Sequence, residues 1–188
     1  FRSAYTELQK ARGETQTLQD AFVWDGNVFF SRQLALAGYT RPEETGTTLP
    51  ADALLANSRA NLETVTGWAE AHPDTEFIIY FSPYSILFWD SMDRQGETEA
   101  MLAMLADTIE TLLAYDNVEL QFLMADTDII TNLDNYADHI HVAGRVTYQL
   151  TEAMPTGKSR LTAENWRGVL DGLREFVVNY DYDSIWEA

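Results

Sequence analysis

The sequence predicts an α/β fold with a mainly parallel sheet, and three observations carry that prediction. Two short apolar runs, FIIYF at 77–81 and NVELQFLMA from Asn117, have the length and β-branched or aromatic content of buried strands. A long amphipathic pattern precedes each of them. Helix, strand, helix, strand is the rhythm of an open α/β sheet, whose chemistry sits on loops leaving the carboxyl ends of the strands.

Taken in order, SAYTELQKARGETQTLQDAF reads as one or two helical pieces interrupted by Gly13. FVWDGNVFFSRQL carries a turn signal, Asp25-Gly26-Asn27, between apolar-aromatic runs, which suggests a hairpin or a structured loop. AGYTRPEETGTTLP is rich in Gly, Pro and Thr and reads as a loop. ADALLANSRANLETVTGWAEAHP is a helix whose inner residues are Leu54, Leu55, Leu62, Val65 and Trp68, stopped at His72-Pro73. The strand Phe77–Phe81 follows, expected to be buried on both faces. GETEAMLAMLADTIETLLAYD is the next helix, with Met101, Leu102, Leu105, Ile109, Leu112 and Leu113 as its inner stripe. After the second strand, VAGRVTYQLTEAM and TAENWRGVLDGLREFVVNYDYDSIWEA are helical patterns, the latter opened by Thr162 with Asn165 three positions on. The acidic residues Asp181, Asp183 and Glu187 read as a solvated tail.

These elements make one α/β domain: an irregular N-terminal segment 1–50, a core 51–162, and a C-terminal helix and tail 163–188. Two clear strands are few for a sheet that usually has about four to six, so the sheet is expected to be incomplete in this chain and to expose an edge. The opening FRSAYTELQK is neither a start methionine nor a signal peptide, which predicts a chain cut or processed from a longer one.

Composition narrows the chemistry. Thirty acidic against 12 basic residues give a net charge of −18, a surface that repels nucleic-acid phosphates and anionic lipid. No apolar run is long enough to span a bilayer. The absence of cysteine excludes disulfides, thiol catalysis and cysteine-ligated metals. Five tryptophans and nine tyrosines invite a sugar-binding reading, with Trp24-Asp25-Gly26-Asn27 as a platform, although aromatic residues at helical spacing, Trp68 above all, are usually core.

NYADHIHV, 135–142, is the densest cluster of reactive groups. An imidazole acting as general base must be held in one tautomer, and Asp138 three residues before His141 can do this through the second ring nitrogen. The plain alternative is a polar loop in which Asp138 caps a turn and His141 caps the following helix. A metal reading uses His139 and His141, which share one side if the chain is extended there, together with a nearby Asp. Ser82 and Ser85 in FSPYSILFW lie at a strand end, where their hydroxyls more readily satisfy backbone groups than act as nucleophiles. Tyr84 and Trp89 are candidates for a pocket wall.

HPDTEFIIYFSPYSILFW and YDNVELQFLMADTDIITNLDNYADHIHV, with Asp138-x-x-His141 as final block, carry a resemblance. The stretch from about residue 52 to 162 resembles the C-terminal half of bacterial SGNH/GDSL-type hydrolases, especially large cell-envelope members from Gram-positive bacteria. The resemblance implies a flavodoxin-like three-layer α/β/α fold, an extracytoplasmic setting in the envelope or secreted, and no cofactor. It also implies a serine on a Gly-Asp-Ser-type block and an Asn in the oxyanion hole. No GDS, G-x-S-x-G or G-x-N-D block occurs, and Asn57 and Asn61 are the nearest candidates for that Asn. The expectation is therefore an esterase or acyltransferase acting on an acylated envelope glycan or a small ester. Asp138 and His141 would serve as its acid–base pair, an upstream segment would supply the nucleophile, and that segment or a partner chain would complete the sheet. The rival from another class is a non-catalytic glycan- or protein-binding module on the same fold; a metal-dependent hydrolase using His139 and His141 is third.

Overall fold

A computed structural model describes residues 30–187 of the chain. The helical reading of 3–22 and the turn at Asp25-Gly26-Asn27 with Trp24 lie outside those residues.

A short helix, α1 (Arg32–Ala37), begins after Ser31, whose hydroxyl accepts the Leu34 N–H at 3.1 Å as an N-cap. The Gly- and Pro-rich stretch that follows is a loop, pinned at Thr45 N–H to the Arg94 carbonyl (3.0 Å) and at Leu49 N–H to the Gly96 carbonyl (2.8 Å). Gly96 has φ +68, and a Cβ there would fall 1.8 Å from the Thr47 carbonyl oxygen, so only glycine fits this crossing. Helix α2 (Leu55–Ala71) stops at His72, before Pro73.

Strand β1 (Phe77–Phe81) precedes α3 (Ile86–Arg94) and α4 (Thr98–Leu112), which together form the crossover that a parallel partner requires. Strand β2 (Val118–Phe122) then pairs in parallel with β1, Phe77 opposite Val118 and Phe81 opposite Phe122. Beyond it come the short α5 (Thr127–Thr131), α6 (Gly144–Ala153), the two-residue β3 (Arg160–Leu161) and α7 (Trp166–Asn179). β3 joins β2 antiparallel, giving a three-stranded sheet ordered β1-β2-β3 among the described residues. The class is α/β as expected, but this small sheet is mixed rather than mainly parallel.

The core forms on one sheet face. Met101, Leu102, Leu105, Ile109 and Leu112 of α4 are buried, and α2 and α7 pack on either side of that helix. Ile79, Phe81, Leu120 and Phe122 from the sheet join them, with Trp166, Leu170, Leu173 and Val177 from α7. Full burial of a side chain such as Leu105 contributes about 1.5–3 kcal/mol.

Three expectations are corrected. Trp68, read as core, is 55% exposed, because α2 turns Leu62 and Ala69 inward instead. β1 is not buried on both faces: Ile78 and Tyr80 are 56% and 53% exposed, opposite Glu119 and Gln121 of β2. The acidic tail is docked rather than simply solvated, since Tyr182 and Ile185 are buried and Asp183 pairs with Arg41 at 2.7 Å.

β1 has a strand on one side only among the described residues. An open edge beside exposed Ile78 and Tyr80 is a template for strand addition. The chain is therefore expected to self-associate in a concentration-dependent way, and Ile78→Lys to suppress this. Sedimentation equilibrium showing a monomer at every concentration would overturn the expectation.

Candidate functional site

The loops leaving the carboxyl ends of β1 and β2 meet and fasten to one another. After β2, Asp126 caps α5 by accepting the Ile129 N–H at 3.3 Å, and a single 3-10 turn, Leu133–Asn135, leads into NYADHIHV. That octapeptide closes on itself: Tyr136 and Val142 form an antiparallel bridge, and Ala137 N–H donates to the His141 carbonyl at 3.0 Å.

Asp138 sits at the corner of this small loop and uses both carboxylate oxygens. Oδ1 accepts the backbone N–H groups of Ile140 (2.8 Å) and His141 (2.7 Å), while Oδ2 lies 2.6 Å from His141 Nδ1. The turn-capping role and the imidazole-orienting role are thus filled by one side chain. His141 does not cap the next helix, since α6 begins after Ala143 with no side-chain cap. The bond to Asp138 favours the proton on Nδ1 and leaves the basic lone pair on Nε2, the arrangement a general base needs. The His141 ring is about half exposed.

Burial pushes the Asp138 carboxyl up, but hydrogen bonds from the His141 ring and from the His141 and Ile140 amides outweigh it. The net direction is down, so the group is a carboxylate throughout the neutral range. A pKa depressed in the folded state means the unfolded chain takes up this proton more readily. The stabilisation is then present above the ordinary carboxylate value and is lost as pH falls through the lowered one. The stability gap between wild type and Asp138→Asn is accordingly expected to close as pH falls through and below the ordinary carboxylate range, read from urea midpoints.

Anchors from far along the chain hold the loop. Ser85 donates from both its N–H (3.1 Å) and its Oγ (2.8 Å) to the carbonyl of His139, one of the two residues between Asp138 and His141 in the turn. Tyr136 donates its hydroxyl to the Pro83 carbonyl at 2.7 Å; burial, with the Asp126 charge adding, raises its pKa and keeps that proton in place. Arg145 donates to Asn135 Oδ1 (2.9 Å) and to the Asp134 carbonyl (2.8 Å), tying α6 to the loop. The Tyr39 ring lies 6.1 Å from that of His139, tilted by 46°.

A buried ion pair stands behind Tyr39. Asp90 is completely buried and receives Arg41 Nε and Nη2, the latter at 2.8 Å, together with the Tyr39 hydroxyl at 2.9 Å. The other arm of Arg41 reaches Asp183, and its guanidinium stacks 4.2 Å from the Trp186 ring. Sequence reading passed over Tyr39, Arg41, Asp90, Asn135 and Arg145. Asp90 carried the one usable signal, a charge inside the apolar run SILFWDSM.

The remaining sequence candidates scatter. Ser85 is fully buried and its hydroxyl is engaged by the backbone, a structural role. Ser82 is half-buried on the same turn, and Tyr84 stacks 4.8 Å from Phe88. Trp89 is 0% exposed and meets Phe88 edge-on, so it belongs to the core and lines no open wall. Asn57 and Asn61 are exposed on α2. Among the described residues no three His, Cys, Asp or Glu side chains converge as a metal site would require. No protein-family model, no curated protein and no solved structure matches the chain.

Proposed function

We propose that this chain carries the acid–base half of an SGNH-type serine esterase or acyltransferase. Its substrate would be an acylated glycan of a bacterial envelope or a small ester, handled outside the cytoplasm. The observation that supports this reading is the Asp138–His141 pair, set in a braced loop at the carboxyl ends of two parallel strands. The serine would come from an added strand, and the open edge of β1 is where a parallel strand could present a hydroxyl beside the same loops. A further helix layer over Ile78 and Tyr80 would complete the flavodoxin-like three-layer form.

In this mechanism the serine oxygen attacks the ester carbonyl while its proton passes to His141 Nε2, and Asp138 stabilises the resulting imidazolium. His141 then protonates the departing alcohol. Water or a glycan hydroxyl gives its proton to His141 as it attacks the acyl-serine, and the serine is restored. The test is labelling by a fluorophosphonate probe, on this chain and on one extended upstream, each with and without His141→Ala. Labelling of the extended chain alone, lost with His141→Ala, is the expected result. No labelling of either leaves the second reading, a binding module, which exposed Tyr80, Tyr148 and Trp186 favour.

A further inference from the structure

A cavity of about 180 Å³ opens beyond the end of β2, walled by Leu123 of the β2–α5 loop, Leu150 and Ala153 of α6, Leu161 of β3 and Val169 of α7. An apolar cavity of about 150 Å³ stays dry and admits a benzene-sized molecule, so this one has room for an apolar body of about six carbons. Its polar edge is made by Asp126, Lys158, Ser159, Arg160 and Asn165.

Most of those groups are already engaged. Ser159 Oγ donates to Gln121 Oε1 at 2.6 Å, and Arg160 lies 3.2 Å from Glu119. Asn165 accepts the Thr162 N–H and donates to the Arg160 carbonyl. Lys158 differs: its nearest carboxylate, Asp126, is 3.9 Å away, beyond hydrogen-bond reach, and its side chain is 82% exposed. Asp126 in turn is held by the first turn of α5. An ammonium with three donors therefore stands at the rim of an apolar hole, loosely paired with Asp126 at 3.9 Å, in a protein whose net charge is −18.

We propose that this cavity binds a small amphipathic carboxylate, its apolar body between Leu123, Leu150 and Val169 and its carboxylate on Lys158, with Arg160 beside it. This site is separate from Asp138 and His141 and does not rest on the esterase reading.

Calorimetric titration of the 188-residue chain with hexanoate and with 1-hexanol tests the proposal. Hexanoate should bind saturably and more tightly than the alcohol, against the field of the whole protein. Lys158→Glu, an exposed change, should weaken hexanoate by about tenfold or more and leave hexanol within about twofold. Ala153→Phe fills the hole and should weaken both by about tenfold or more; if it fails to fold, the Lys158→Glu comparison decides alone. Absence of saturable hexanoate binding, equal affinity for the two ligands, or indifference to Lys158→Glu would each overturn the assignment.

Discussion

On the esterase reading proposed above, replacing His141 by alanine in a chain extended upstream is expected to lower ester turnover by at least about 10⁴-fold. The loss should fall on kcat, because the imidazole acts only when the serine proton moves. Asp138→Asn should lose nearly as much while leaving the fold intact at neutral pH. An amide in place of the carboxylate no longer selects the Nδ1–H tautomer at 2.6 Å, and it stabilises no imidazolium. Initial rates on a p-nitrophenyl ester, with denaturation curves on the same samples, measure both effects. Turnover in His141→Ala within tenfold of wild type would remove the catalytic reading.

The largest stability effect is expected at Arg41. Asp90 has no exposure to water and receives three donor atoms from Arg41 Nε, Arg41 Nη2 and the Tyr39 hydroxyl. Arg41→Met leaves that carboxylate buried with the tyrosine as its remaining partner, which costs about 3–5 kcal/mol. For a chain of this size the melting temperature should fall by about 10 °C. The double variant Arg41→Met/Asp90→Leu removes both charges and should recover much of the loss, since well-packed apolar residues often replace a buried pair without penalty. A double variant no more stable than Arg41→Met would show that packing around Arg41, including its contact with Trp186, carries the effect.

How far sequence alone reached depends on the range of each interaction. α2, α4, β1, β2, α6 and α7 were readable because their signals lie within a few residues: a 3.6-residue apolar repeat, or a short run of Ile, Tyr and Phe. α3 was missed because a nine-residue helix rich in Phe and Trp, directly after a strand, has no period that separates it from more strand. β3 has two residues and exists through its partners, Leu120 and Gln121. Trp68 is exposed although it lies on the apolar arc of α2, because helical spacing alone does not say how wide an arc the core covers.

The site shows the same division. Asp138 and His141 were found because the pair is three residues apart and closes locally. Ser85 and Tyr136 tie this loop to the turn after β1 across 50 or more residues, with the Tyr39 ring beside His139, and no spacing rule anticipates that. The polar signal at Ser85 points to bracing, since its hydroxyl donates to the His139 carbonyl.

The double acceptance at the His139 carbonyl and the Tyr136–Val142 bridge bear on loop length. Residues 136–142 are held at both ends and gripped in the middle, so the loop admits neither an insertion nor a deletion without parting Asp138 from His141. Length polymorphism among natural variants should avoid the octapeptide.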